Sequence, residues 1–365
     1  MGKRCIFHIP IALDENRVSP SHIRPKKMKK AFENIGYEVD VVWGTASERA
    51  RAIKNIKQNI RNGVKYDFMY SESSTMPTLL TERHHLPSHP LLDFSFFSFV
   101  KKHGVKIGLF YRDVYWKFPI YKENVKGIKR QAAILMYRYD LYKYNRLLSK
   151  LYVPTLYVKK YIEKNIKAEF IDSLPPACER HEGINDIVKN SDSLKLLYIG
   201  GIGNQYKMHM LFEAVSDIKS IYLTVCCRES EWEKVLPEYS PYMSENIKIV
   251  HKKGDELEEL YKDADICLTY FESDLYREMA MPFKTFEYMS YGKPIISSNR
   301  TAVGEFVEDT GIGWSIDYSK EALTDLLIFL QEHPEVIRQK RIVCIEKLED
   351  NTWEKRAEKV ALDLK

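Results

Sequence analysis

The chain has 365 residues, of which 44% are hydrophobic and 29% charged, with a formal net charge of +5. That length exceeds one ordinary hydrophobic core, so two domains are expected, and the composition excludes disordered, collagen-like and coiled-coil classes. No apolar run reaches the roughly 18 to 20 residues of a membrane-spanning helix, and six cysteines without metal-ligand spacing read as reduced packing residues of a cytosolic protein.

From the N-terminus on, short apolar runs alternate with longer helical patterns, the sequence form of βα units on a parallel sheet. The opening MGKRCIFHIP reads as a buried first strand, because it lacks the long apolar core and small-residue cleavage site of a leader. Strands are predicted at 4–9, 38–43, 67–71, 105–110, 150–154 and 168–172. A helix over 22–35 should stop at Gly36, a left-handed cap before the second strand. The stretch 173–193, with its Pro pair and polar residues, reads as a connection between domains. The pattern then restarts, with strands at 194–200, 220–227, 247–251, 264–270, 293–298 and 311–316. The fold class is therefore α/β, with two Rossmann-like doubly wound domains over 1–175 and 176–350 and a closing helical segment at 351–365. Two such sheets in tandem, facing a central cleft, make that cleft the natural ligand site.

Charge divides the chain as the domains do. Residues 1–170 carry 32 Lys and Arg against 15 Asp and Glu, whereas the remainder carries 24 against 36. A solvated basic surface is the plain alternative; the sharper one is attraction to anions, either a phospholipid leaflet or a polyanionic acceptor. No nucleic-acid motif accompanies the charge, so no nucleic-acid partner is expected.

Two segments carry candidate chemistry. In MPFKTFEYMSYGKPIISS (281–298), Pro282 suits a first helical turn and Gly292 ends the helix. With Pro282 leaving no N–H unmade, the N–H groups of the turn it opens, at Phe283, Lys284 and Thr285, would face a diphosphate, Lys284 would add a full charge, and Glu287 would accept hydrogen bonds from a ribose diol. A plain surface pairing of Lys284 with Glu287 is the alternative. In LLYIGGIGNQYK (196–207), Gly200 and Gly201 let the backbone approach phosphates, and Lys207 supplies charge.

The run EYMSYGKPII (287–296) resembles the signature helix of GT-B glycosyltransferases related to family 4, and the resemblance extends loosely over the whole chain, including NTWEKRAEKVALDLK (351–365). It implies a GT-B fold whose C-terminal domain holds a nucleoside diphosphate sugar as donor, with no further cofactor and no essential metal. His84, His85 and Glu82 lack a completing ligand. It also implies retention of anomeric configuration, a ribose role for Glu287 and a sugar role for an earlier glutamate. The expected spacing puts that glutamate on Met279, so the role passes to Glu278 through a one-residue shift. Family members often carry arginine where Gly201 stands. In the first domain, Ser21, His22 and Arg24 follow the first strand where relatives hold acceptor or phosphate groups. Asp113 and Arg112 end the fourth strand, with Asp113 available to orient a sugar hydroxyl or to pair within the fold.

The function implied is hexose transfer to a carbohydrate or lipid-linked acceptor, in cell-envelope or exopolysaccharide synthesis, at the inner face of the cell membrane. A sugar-nucleotide epimerase of similar fold and an inactive partner subunit remain as alternatives. A nicotinamide dehydrogenase is disfavoured because no G-x-G-x-x-G turn follows the first strand.

Overall fold

The structure is a computed structural model that describes residues 2–14, 19–181, 193–203 and 206–365. Residues 15–18 of the first loop, 182–192 of the predicted connection and 204–205 of the glycine turn lie outside these. Two compact units divide the chain, Met1–Pro176 with Trp353–Lys365, and Ala177–Thr352.

The first unit is built from β1 (Lys3–His8), α1 (Pro20–Asn34), β2 (Tyr37–Val42), α2 (Ala46–Arg61), β3 (Phe68–Glu72) and α3 (Leu92–Lys102). Then come β4 (Lys106–Phe110), α4 (Pro119–Asn124), α5 (Gly127–Leu147), β5 (Lys150–Val153), α6 (Lys159–Ile162) and β6 (Ile171–Ser173). The six strands form one parallel sheet in the order β2-β1-β3-β4-β5-β6. Local chemistry sets the helix limits. Gly36, at a φ of 89°, ends the turn after α1, where a side chain would be strained. Thr45 and Glu48 form a reciprocal capping box at the start of α2, a device worth about 1 kcal/mol.

The second unit runs β7 (Leu194–Ile199), α7 (His209–Ser216), β8 (Ile221–Cys226), α8 (Glu229–Tyr239), β9 (Ile247–Val250), α9 (Leu257–Asp263) and β10 (Ile266–Thr269). It continues with α10 (Phe283–Ser290), β11 (Ile295–Ser298), α11 (Ala302–Thr310), β12 (Gly313–Ile316), α12 (Lys320–Glu332) and α13 (Pro334–Leu348). Its parallel sheet has the order β12-β11-β10-β7-β8-β9. Tyr198, Leu223, Val225, Ile266 and Leu268 fill one core between this sheet and its helices. All twelve predicted strands are present. The sixth departs most, because Ala168–Phe170 close a 3-10 turn and extension begins only at Ile171.

The closing helix α14 (Trp353–Leu364) belongs to the first unit, where it lies against α1, β3 and β4. Gly108 on β4 makes room for it: a Cβ there would stand 2.7 Å from Leu364 Cδ1 and 2.9 Å from the Tyr152 ring. Arg356 donates to the Pro176 carbonyl at 3.2 Å, fastening the helix to the end of the unit.

Each sheet has a point where its winding reverses, between β1 and β3 in the first unit and between β7 and β10 in the second. In parallel α/β sheets, ligands bind beyond the carboxyl ends of the strands at such points. That geometry singles out the residues after Ile199 and Thr269 in one unit and after His8 and Glu72 in the other.

Candidate nucleotide-sugar site

Gly200 and Gly201 follow β7 directly, so the glycine turn lies at the reversal point of the second sheet. The turn is held by Tyr198, whose hydroxyl donates to the Gly201 carbonyl at 2.6 Å. Lys284, in the first turn of α10, donates to the same hydroxyl at 3.1 Å, and its ammonium lies 4.3 Å from the centre of the Tyr198 ring. Gly200 adopts a φ of 154°, and a Cβ there would come within 2.1 Å of Lys284 Nζ. Glycine is therefore required for the lysine to sit over the turn. Tyr288 ties the parts together: its hydroxyl accepts from Ile199 N at 3.0 Å, so α10 is hydrogen-bonded to the end of β7.

The electrostatics of this cluster are unusual. Burial among aromatic rings pushes the Lys284 ammonium down to about 7, with Glu287 opposing the shift. Glu287 lies one helical turn on and its side chain is open to solvent, yet crowding by protein pushes its carboxyl up, with Lys284 pulling it back. Tyr261 Oη stands 3.5 Å from Glu287 Oε2. Pro282 occupies the N-cap, one position earlier than the first-turn place expected, and has no side-chain cap. Phe283 and Lys284 thus begin the helix, at the end where a helix favours anions. Thr285 is fully buried, with no partner for its hydroxyl.

Lys207 is more exposed and pairs with Glu272, just beyond β10, at 3.4 Å. Three groups here were not read from the sequence. Tyr206 packs edge-on to Phe271, with ring centres 5.2 Å apart, and touches the space above Gly201. Arg277 lies over the Tyr206 ring at 5.2 Å and is anchored by Asp274 at 2.5 Å. Lys284 is 5.2 Å from the centre of that ring. Two cations therefore converge on one aromatic ring beside the glycine turn. Tyr198 was hidden in an apolar strand pattern, and Arg277 in a loop without periodicity. The six cysteines are all buried thiols.

In the first unit, Ser21 and His22 open α1 and share hydrogen bonds with Ser19: Ser19 Oγ lies 3.0 Å from Ser21 Oγ and 3.1 Å from His22 Nδ1. Arg24 is buried rather than presented to solvent. Its guanidinium lies 3.7 Å from the centre of the Phe110 ring, bonds to the Leu174 carbonyl at 3.1 Å and pairs with Glu72 at 3.3 Å. Arg112 also reaches Glu72, at 2.8 Å, and Tyr70 donates to it at 3.0 Å. Two guanidinium groups thus share the Glu72 carboxylate at the carboxyl ends of β3 and β4. Asp113 caps the turn after β4 by accepting from Tyr115 N at 2.9 Å. Ser71, His8 and Asp93 form a hydroxyl–imidazole–carboxylate row at 2.8 and 2.9 Å. With Ser71 wholly inaccessible and Asp93 pinned by Arg49 at 3.0 Å, this row fastens β1, β3 and α3 rather than offering a nucleophile. Glu82 is likewise occupied, by Ala46 N at 2.9 Å and Arg49 at 3.3 Å.

Residues 193–333, which carry the glycine turn, Lys284 and Glu287, match the family model described as Glycosyl transferases group 1. That match spans less than half of the chain. The whole chain is similar in structure to HepE of Anabaena in complex with UDP and glucose, at 12% identity over 99% of each chain and a TM-score of 0.62. It is also similar to a glycosyltransferase from Rickettsia africae ESF-5, at 14% identity, 99% and 98% coverage and a TM-score of 0.66. WaaG, a glycosyltransferase involved in lipopolysaccharide biosynthesis, gives 13% identity, 98% and 99% coverage and 0.61. Such identities show the fold, and the fold is GT-B. No curated protein sequence matches. Within the group 1 segment, Met279 is 4% exposed in the 3-10 turn Arg277–Met279, while the neighbouring Glu278 is half-buried.

Proposed function

We propose that the chain is a glycosyltransferase that moves a hexose from a nucleoside diphosphate sugar to an acceptor hydroxyl, with retention, in the synthesis of a cell-envelope or extracellular polysaccharide. The observation that carries this reading is the convergence of Lys284, the Gly200–Gly201 turn and the α10 N-terminus at the reversal point of a glycosyl transferases group 1 sheet. As the glycosidic bond breaks, the leaving diphosphate gains negative charge, and donors fixed in advance stabilise it best. Lys284 and the positive N-terminal end of α10 supply that stabilisation. Arg277, held over Tyr206, supplies the guanidinium that relatives place where Gly201 stands. Glu287 holds the ribose, Glu278 takes the sugar role, and Arg112, Asp113, Ser21 and His22 serve the acceptor side, while the buried Arg24 positions Glu72 beneath Arg112.

UDP-sugars are the first donors to test, because HepE was solved with UDP and glucose. A thermal-shift panel of UDP-, GDP- and dTDP-sugars should raise the melting temperature with one nucleotide, since a ligand that binds only the folded chain stabilises it by mass action. Lys284→Met and Glu287→Gln should abolish that shift, and equal shifts in parent and variants would refute the site. The buried Met279 favours one second reading, a subunit that binds nucleotide without transferring sugar. Donor binding without turnover across an acceptor panel would select it.

A further inference from the structure

Helix α5 has apolar residues on two faces. Ala133, Tyr137, Leu141 and Tyr144 are buried against the first unit. On the opposite side, Ile128 is 88% exposed, Leu135 68% and Tyr142 51%. Their spacing of seven residues sets them along one stripe, about two turns apart. A helix in a soluble protein needs only one such stripe for its core, so the second is surplus to folding.

Around the stripe the charge is almost wholly of one sign. Lys122, Lys126, Lys129, Arg138 and Arg146 are exposed on α4, α5 and their junction, against the single exposed acid Glu123. Asp140, the other acid in this stretch, is turned inward to Thr78 N at 2.7 Å. Lys101 donates to the Arg146 carbonyl at 2.6 Å, which brings the basic C-terminus of α3 to the same end. Burial, and after it the nearby charges of Arg138 and Lys164, push the Lys117 ammonium down, so further cations stand beside α5. Lys143 and Arg146 lie over the Tyr139 and Tyr142 rings at 5.3 and 4.9 Å, which holds their charged ends beside aromatic rings.

We propose that this face of α5 docks on the surface of an anionic phospholipid bilayer, with Ile128, Leu135 and Tyr142 entering the headgroup boundary and the surrounding lysines and arginines meeting lipid phosphates. An apolar stripe rimmed by cations, with tyrosines at the border, is the pattern of an interfacial helix. Charge complementarity selects an anionic surface, and the apolar stripe selects a bilayer over a dissolved polyanion. No helix among the described residues is long and apolar enough to cross a membrane, so the contact is peripheral. The donor site is not involved, and vesicle binding is read without any nucleotide.

The test is co-sedimentation of the full chain with phosphatidylglycerol vesicles, and separately with phosphatidylcholine vesicles, at low and high salt. The parent should pellet with the anionic vesicles alone, and less as salt rises. Ile128→Ser with Leu135→Ser should cut the bound fraction at least about tenfold. Lys129→Ser with Arg138→Ser should cut it on the order of twentyfold, each cation contributing about fivefold. These side chains are exposed, so unchanged circular dichroism spectra and melting temperatures should accompany the loss. The proposal falls if the parent stays in the supernatant with anionic vesicles, or binds neutral vesicles equally. It falls equally if the Ile128→Ser/Leu135→Ser variant binds as the parent does, which would mean polyanion attraction alone, or if the face instead joins two copies in sedimentation velocity.

Discussion

Lys284 gives donor binding a pH dependence that can be worked out in advance. Its ammonium, pushed down to about 7 by burial, is half neutral near pH 7 in the empty site. A diphosphate binds the protonated form, so above pH 7 the chain must take up a proton as the donor arrives. Linkage then weakens binding by up to tenfold per pH unit, about 50-fold between pH 7 and 9, until the bound lysine itself titrates. Of the neighbouring groups, Tyr198 is held well above its usual range by burial, and burial raises the Glu287 carboxyl while Lys284 pulls it back. A nucleoside diphosphate sugar is the suitable ligand, because its bridged diphosphate has no group that titrates near neutrality. Titration calorimetry in buffers of different ionisation enthalpy would count the proton directly, expected near one per site at pH 8. Lys284→Met should bind more weakly, with a flat profile over the same range. Constant affinity and no proton uptake from pH 7 to 9 in the parent would refute the assignment of Lys284 to the phosphates.

Gly200→Ala should disturb the same lysine without touching its charge. The new Cβ would lie 2.1 Å from Lys284 Nζ and 3.0 Å from Tyr198 Oη, so the ammonium must leave the turn, and donor affinity measured by calorimetry should fall tenfold or more. Asp140 predicts a stability effect. Burial pushes its carboxyl up to about 7, against 3.8 when exposed, so the folded chain binds more protons and stability falls as pH rises from 4 to 7. Asp140→Asn removes that titration; urea midpoints should match the parent near pH 4 and exceed it at pH 8 by an amount on the order of 2 to 4 kcal/mol. Gly108→Ala should destabilise the first unit by about 1 to 3 kcal/mol, read from the same midpoints, because its Cβ would overlap Leu364 and Tyr152.

The sheets were legible in the sequence because a strand buried on both faces is a short continuous apolar run, and this chain places twelve of them between helical patterns. The turn at Gly36 and the helix after Pro282 were legible for a similar reason, since glycine and proline restrict the backbone locally. Partner choice over long separations was not. Arg24 stands in a basic run, KKMKK following it, and nothing local says that its guanidinium is drawn inward to Glu72, 48 residues on, and to carbonyls near residue 175. Arg112 read equally as a site residue or as half of an internal ion pair, and the carboxylate it reaches is that of Glu72, 40 residues before it. Periodicity reports which face of an element is apolar; it carries no information on which distant carboxylate a buried cation meets.

The pair Glu278 and Met279 shows how a motif read by spacing depends on backbone geometry. A one-residue displacement on a helix turns a side chain by about 100°, which would remove a carboxylate from its task. Here the residues sit in a 3-10 turn at the end of a loop, where Glu278 N bonds to the Asp274 carbonyl at 2.9 Å and Ala280 N to the Arg277 carbonyl at 2.9 Å. Such a turn brings the thioether of Met279 into the core, 4% exposed, and leaves Glu278 half-buried beside it. The same loop presents Arg277 to Tyr206. One local structure thus places both the Glu278 carboxylate and the Arg277 guanidinium. On this reasoning Glu278→Gln should lower kcat with little change in donor affinity, and Arg277→Met should weaken donor binding. If both variants changed neither quantity, the loop would have no role in holding the donor, and the glycine turn with α10 would have to supply the whole site.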